Sequence, residues 1–369
     1  MFRYAISLFL NISFLAIGVY PQTKPLTDKE EVIRVDTQLV DVPLSVTSSD
    51  GRPVGDLKSS NFIIYEDGKL QKIESFSTAA APFEVALVLD TSGSARSDLQ
   101  LIKKAAQDFV ASLKPGDRVA VSAFDTEIID GRTTAFSSVL SPLSQDRPGL
   151  MAAIGQVRTS FGTPYYDSLL QVADIVFRDP PKAQVRGRRA IVALTDGVDS
   201  TSRAGFEEVR ERLQKMGIVC FFVEVDTRDF FESGLLGDCR GSTQFSVAQI
   251  RKYYRSIGAR LGTEKATTFC QLGDFERLAI SKRLYELAES EMSELARNSG
   301  GRVFPVADLN EARRAFQSVA DAIGTQFTIG YYPTNEKRDG SYRKIKVETR
   351  GLAAGTQIRA REGYTAPTN

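Results

Sequence analysis

Two apolar runs in this sequence each end in an aspartate: "ALVLD" closes on Asp90 and "VALTD" on Asp196. Small hydroxyl residues lie near them in the chain. Ser92 and Ser94 follow the first aspartate, and Thr163 stands in "SFGTPYYDS" between the two. Two carboxylates and three hydroxyls make an all-oxygen donor set. Such a set suits a hard divalent cation, Mg²⁺ first, with Mn²⁺ or Ca²⁺ as alternatives. With few carboxylates in direct contact the ion stays electrophilic, and a position left open accepts a carboxylate from outside. This is binding chemistry and needs neither a nucleophile nor a general base. The chain has no histidine, which excludes Ser-His-Asp and Cys-His catalysis and every histidine metal site.

Each of these residues also has a plainer role. Thr163 before Pro164 reads as a helix N-cap with proline at the first helical position. Ser94 or Ser97 could cap the helix that follows, and Asp196-Gly197 reads as a turn. Asp125, in "AFDTEI", reads as a turn after a strand. Capping explains each residue singly. It does not explain why two buried strands both terminate in aspartate, where ligands of open α/β sheets bind beyond the carboxyl ends of the strands.

The elements that must position these groups follow from hydrophobic pattern. "FEVALVLD", "RVAVSAF", "RRAIVALTDG" and "IVCFFVEVD" are continuous apolar strands, buried on both faces. They alternate with helical stretches; Ile102, Ala105, Phe109 and Leu113 share one helix face. The alternation predicts an α/β fold, a doubly wound and mostly parallel sheet, over residues 83–323. Between "RVAVSAF" and a helix over 147–158 the reading is a loop. Residues 227–280 interrupt the pattern as an insertion with a helix of its own near "SVAQIRKYYRSIGARL", since a loop of that length rarely lacks structure. It leaves the carboxyl end of a strand, so it is expected to rise beside the site. "RKYYR" at 251–255 reads as a solvated helix face.

On either side the pattern is β. Residues 32–82 alternate, with turn signals at Asp50-Gly51 and Asp67-Gly68. Residues 324–365 carry "TQFTIGYYP", "YRKIKVETR" and "TQIRAREGY". Neither segment makes a large core alone. The expectation is one β-sandwich split into two halves, with the α/β domain inserted between them; the alternative is two small independent β modules.

"DTSGS" resembles the D-x-S-x-S motif of the von Willebrand factor A domain, with Thr163 and Asp196 in the order that family's later threonine and aspartate take. The resemblance implies a metal-ion-dependent adhesion site (MIDAS) built by Asp90, Ser92, Ser94, Thr163 and Asp196, and a protein partner that offers an Asp or Glu carboxylate to the cation. It covers about residues 83–323 apart from the insertion. The apolar start, the β flanks and the final "AREGY" are similar to bacterial exported proteins described as VWFA-related.

The remaining composition agrees with an exported binding protein. The 369 residues carry 47 basic and 46 acidic side chains, a net charge of +1. That balance provides no broad attraction to nucleic acid or anionic membrane. "MFRYAISLFLNISFLAIGVY" (1–20) reads as a secretory signal peptide with a small-x-small cleavage site, followed by a linker at 21–31; an uncleaved anchor is the alternative. No later segment is long and apolar enough to span a bilayer, so the mature chain is expected to be secreted, periplasmic or at the cell surface. Of three cysteines, Cys220 reads as a buried thiol, while Cys239 and Cys270 share one polar segment and could pair. The competing functions are a magnesium-dependent phosphohydrolase with Asp90 as nucleophile and a purely structural surface protein. The first rests on Asp90 resembling the nucleophile of haloacid-dehalogenase-like phosphatases, and that resemblance implies a second aspartate two positions on, where Ser92 stands. The expectation is a binding protein, not an enzyme.

Overall fold

The computed structural model describes residues 39–92, 99–129, 132–239, 243–259 and 266–368. The expected signal peptide, the linker, residues 32–38 and Ser94 with its neighbours Gly93 and Ser97 lie outside them.

The alternating N-terminal segment forms β1 (Val40–Thr47), whose Val42, Leu44 and Val46 are buried on one face. β2 (Phe62–Glu66) and β3 (Lys69–Gln71) make a hairpin whose turn residues, Asp67 and Gly68, both have positive φ, 47° and 80°. This is the primed-turn geometry that suits the twist of paired strands. The run after the turn does not continue as one strand. It breaks at Lys72, and β4 (Ile73–Ser77) joins a different sheet.

The α/β segment begins with β5 (Glu84–Leu89), all six residues of which are buried. Val85, Leu87 and Leu89 enter one core; Ala86 and Val88 enter another on the opposite face. α1 (Leu99–Ser112) packs on the first of these through Ile102, Ala105 and Phe109. Next comes β6 (Arg118–Ile129), which is followed by a strand and not by the expected loop. β7 (Arg132–Ser144) runs antiparallel to β6 at the sheet edge. Its hydroxyl-rich sequence has too few apolar residues to show a period, because an edge strand buries little of itself. α2 (Arg147–Gly155), α3 (Tyr165–Gln171), β8 (Arg189–Thr195), α4 (Phe206–Met216) and β9 (Val219–Val225) restore the alternation.

The insertion holds α5 (Arg228–Ser233) and α6 (Val247–Ser256), and the Cys239–Cys270 disulfide is formed. Cys220 is a buried free thiol. The helix after the insertion is longer than its apolar period suggests. α7 runs Asp274–Ser299, so the expected boundary at 280 falls inside it. Leu235, Phe245, Ile250, Tyr254 and Phe269 form a separate core with Ile280, Leu284 and Ala288 of α7. "RKYYR" is correspondingly not a solvated face: Tyr254 is buried and Lys252 bonds to Tyr166 and Glu291.

β10 (Arg302–Val306) and α8 (Leu309–Gly324) complete a six-stranded sheet of order β10-β9-β8-β5-β6-β7, parallel except for β7. The chain then returns to β structure with β11 (Phe327–Tyr331), β12 (Tyr342–Thr349), β13 (Gln357–Ala360) and β14 (Gly363–Thr365). Two antiparallel sheets, β13-β1-β11-β4 and β14-β12-β2-β3, flank the α/β sheet. Each draws strands from both ends of the described chain. They share one core, in which Val42 and Leu44 meet Ile64, Ile329 and Ile345. No helix among the described residues is long and apolar enough to cross a membrane.

Candidate metal centre

β5 and β8 are parallel neighbours, with Leu89 opposite Leu194. Asp90 and Asp196 therefore leave the sheet side by side at its carboxyl edge, one residue out of step. Asp90 is buried at 7% exposure, and Ser92 and Thr163 match it. Asp196 is half-buried.

Three loops meet here and are stitched in pairs. Ser160 N–H donates to the Thr91 carbonyl at 2.8 Å, joining the Asp90 loop to the Thr163 loop. Thr163 N–H donates to Ser200 Oγ at 2.9 Å and the Ser200 N–H returns to the Thr163 carbonyl at 3.0 Å. That joins the Thr163 loop to the one after Asp196. Thr195 Oγ1 donates to Asp90 Oδ2 at 2.7 Å, closing the circuit. Asp90, Ser92, Thr163 and Asp196 are thus brought to one place; Ser94 lies outside the described residues.

Thr163 is not a helix cap. Pro164 occupies the position before α3 with no side-chain cap bond. The first amides of α3 are satisfied from the neighbouring loop, Tyr165 N–H by Asp199 Oδ1 and Asp167 N–H by Ser202 Oγ. The Thr163 hydroxyl itself makes no hydrogen bond among the described residues, so it remains available as a ligand. Asp125 lies within β6 and not in a turn. It pairs with Arg158 at 2.7 Å on the rim.

Among the described residues, both aspartates are held by hydroxyls and amides. Asp90 Oδ1 accepts from Ser92 N–H at 3.0 Å. Asp196 Oδ1 accepts from Val198 N–H at 2.9 Å, and its Oδ2 accepts from Thr227 Oγ1 at 2.5 Å. Burial holds the Asp90 carboxyl above the ordinary carboxylate range, against hydrogen bonds from Ser92 and Thr195. Asp196 is pushed the same way, by burial first and then by the charge of Asp90. Among the described residues, no lysine or arginine is one of the groups that offset this. Two adjacent buried carboxylates without a counter-charge are costly. A divalent cation relieves both terms, and the oxygen donors present fit Mg²⁺, Mn²⁺ or Ca²⁺.

Thr195 and Thr227 are site residues that sequence reasoning missed. Each follows or ends a buried strand as the aspartates do, and that shared position was the available signal.

Residues 85–198 match the family model of the von Willebrand factor type A domain. No curated protein matches the chain. Several solved structures are similar at low identity. The conserved hypothetical protein BatB from Bacteroides thetaiotaomicron is 18% identical, with a TM-score of 0.39, over 65% of this chain and 98% of that one. A von Willebrand factor type A protein from Catenulispora acidiphila is 12% identical, with a TM-score of 0.42, over 90% of this chain and 75% of its own. Proximal thread matrix protein 1 from the mussel byssus, in a form with a zinc-occupied MIDAS motif, is 17% identical with a TM-score of 0.41. That match covers 70% of this chain and 49% of the mussel protein, so the chain spans about half its length. The family match over these strands and loops identifies residues 85–198 as a von Willebrand factor type A domain.

Proposed function

We propose that this protein is a metal-dependent protein-binding module in which Asp90, Ser92, Ser94, Thr163 and Asp196 hold a divalent cation, Mg²⁺ by preference. The observation that carries this reading is the pair of carboxylates at adjacent strand ends, with no lysine or arginine among the described residues offsetting their charge. When bound, the cation would supply an electrophilic site for an Asp or Glu carboxylate of a partner protein. The chain's own residues do the rest. Thr195 and Thr227 orient the two aspartates, the Ser160 and Ser200 bonds fix the spacing of the loops, and Ser92 and Thr163 add neutral oxygens that leave the site short of negative charge.

The rim suits a protein ligand. Phe161, two residues before Thr163, is 68% exposed, and Phe230, three residues after Thr227, is 62% exposed. Large exposed apolar groups around a polar centre are typical of interaction surfaces. We also place the protein outside the cytoplasm, a reading supported by its apolar N-terminal stretch and by the Cys239–Cys270 disulfide, since such bonds persist in oxidising compartments.

The test is capture of partners from an exported fraction by the full chain, in Mg²⁺ and in EDTA, with Asp90→Ala alongside. Capture lost in EDTA and in the variant is expected. Capture that survives both would refute the reading.

A further inference from the structure

The insertion is attached to the candidate centre through Asp196 and its loop, and by more than proximity. Thr227, two residues beyond the end of β9, places its Oγ1 2.5 Å from Asp196 Oδ2. The same oxygen lies 2.8 Å from the Tyr285 hydroxyl on α7. Thr227 has one hydroxyl proton, and an ionised carboxylate only accepts. The Thr227 proton is therefore committed to Asp196, and Tyr285 must donate to Thr227. The result is a one-way relay from α7 to the carboxylate, in which each bond polarises the next.

α7 also packs on the start of the Asp196 loop. Gly197 has φ +71°, and a Cβ there would lie 2.9 Å from the Met292 side chain. Val198, whose amide holds the other oxygen of Asp196, packs into the core that the insertion shares with α7. Tyr285 is itself set by the insertion, with its ring edge-on to Phe231 at 6.4 Å between centroids. Glu291 of α7 accepts hydrogen bonds from Tyr166 of α3 and from Lys252 of α6, so α3, α6 and α7 meet at one ion pair.

We infer that Thr227 and Tyr285 are positioning residues of the cation site, and that through them the insertion and α7 set the affinity of that site. With Oδ1 on the Val198 amide and Oδ2 on Thr227, the carboxylate plane of Asp196 cannot rotate. Each oxygen keeps one lone pair directed away from its donor. Without Thr227 the plane is held at Oδ1 alone, by the Val198 amide, and part of that preorganisation is lost. Partners of this kind behind a metal ligand typically contribute about 10–100-fold in affinity.

The inference rests on the metal-binding reading, and the experiment separates the two. Mg²⁺ and Mn²⁺ affinities are measured by calorimetry on the full chain, for wild type, Asp90→Ala, Thr227→Val, Thr227→Ser and Tyr285→Phe. Thermal unfolding in EDTA is recorded for each. Thr227→Val is expected to weaken binding about 10–100-fold, Thr227→Ser to restore it, and Tyr285→Phe to weaken it by less. A merely structural role for these hydroxyls would lower the unfolding temperature in EDTA and leave affinity where it was. Wild type that binds neither ion overturns both readings. Wild type that binds, Asp90→Ala that does not, and a Thr227→Val affinity equal to wild type overturn the relay alone. If Thr227→Val fails to fold, Tyr285→Phe decides the matter, since it removes one oxygen from a half-buried ring; an affinity equal to wild type overturns the relay.

Discussion

Replacing Asp90 by Asn removes one of the two carboxylate charges at the candidate site and, without metal, makes the fold more stable. The size follows from the sheet. Asp90 and Asp196 leave neighbouring parallel strands one residue out of step. Strand spacing and rise set them about 6 Å apart. Two unit charges at that distance, at an effective dielectric of about 20, repel by about 3 kcal/mol. The carboxamide introduced by Asp90→Asn keeps its oxygen as the acceptor for the Ser92 amide and removes that repulsion, but its NH2 cannot accept from Thr195, so the Thr195 bond is lost. The net gain is about 1–2 kcal/mol, or a rise of about 2–8 °C in unfolding temperature for a domain of this size. The sign with pH is fixed by the direction of the shifts. Both carboxyls are raised in the folded state, so wild type loses stability as pH climbs from the ordinary carboxylate pKa through the raised values. The variant's advantage in EDTA is therefore present at pH 7–8 and gone near pH 4. Saturating Mg²⁺ reverses the order, since at 100 times Kd it adds about 2.7 kcal/mol to wild type and nothing to the variant. The assay is urea unfolding with and without Mg²⁺ at three pH values. Wild type more stable than Asp90→Asn in EDTA at pH 8 would mean the two charges are compensated within the protein, and the physical basis for a cation would fail.

Two further outcomes are expected. Glu84, at the opposite end of β5, is buried between Arg118 at 2.7 Å and Arg189 at 2.8 Å; Glu84→Ala strands Arg189 and is expected to cost about 3 kcal/mol in urea unfolding while cation affinity, measured by calorimetry, stays unchanged. Opening the Cys239–Cys270 bond, which closes 31 residues, is expected to remove about 3–4 kcal/mol from the insertion, read as faster hydrogen exchange and proteolysis within residues 228–273. A cation affinity that falls with it connects the two regions through Thr227.

Much of this molecule is legible along the chain, for identifiable reasons. β5 and β8 are buried on both faces, so they read as unbroken apolar runs, and a charge at the end of such a run is conspicuous. Asp67-Gly68 announces its hairpin because few other residue pairs accept two positive φ angles. Asp130-Gly131 has the same residue types between β6 and β7, yet the β7 sequence after it is rich in hydroxyls and its alternation is faint. The corners at Lys72 and Arg361, where a run passes from one antiparallel sheet to the other, leave no mark in the hydrophobic period, since the strands on both sides alternate alike.

What the sequence determined by itself is the fold class and the chemistry on offer: apolar strands ending in Asp90 and Asp196, hydroxyls at Ser92 and Thr163 spaced in the same order, no histidine, and a segment too long to be a loop. What only the tertiary structure decided is how those groups are held. Thr195 turns to Asp90 across 105 residues, Thr227 to Asp196 across 31, and Tyr285 to Thr227 across 58. A hydrogen bond depends on distance and direction in space, and hydrophobic period carries neither across a sheet edge.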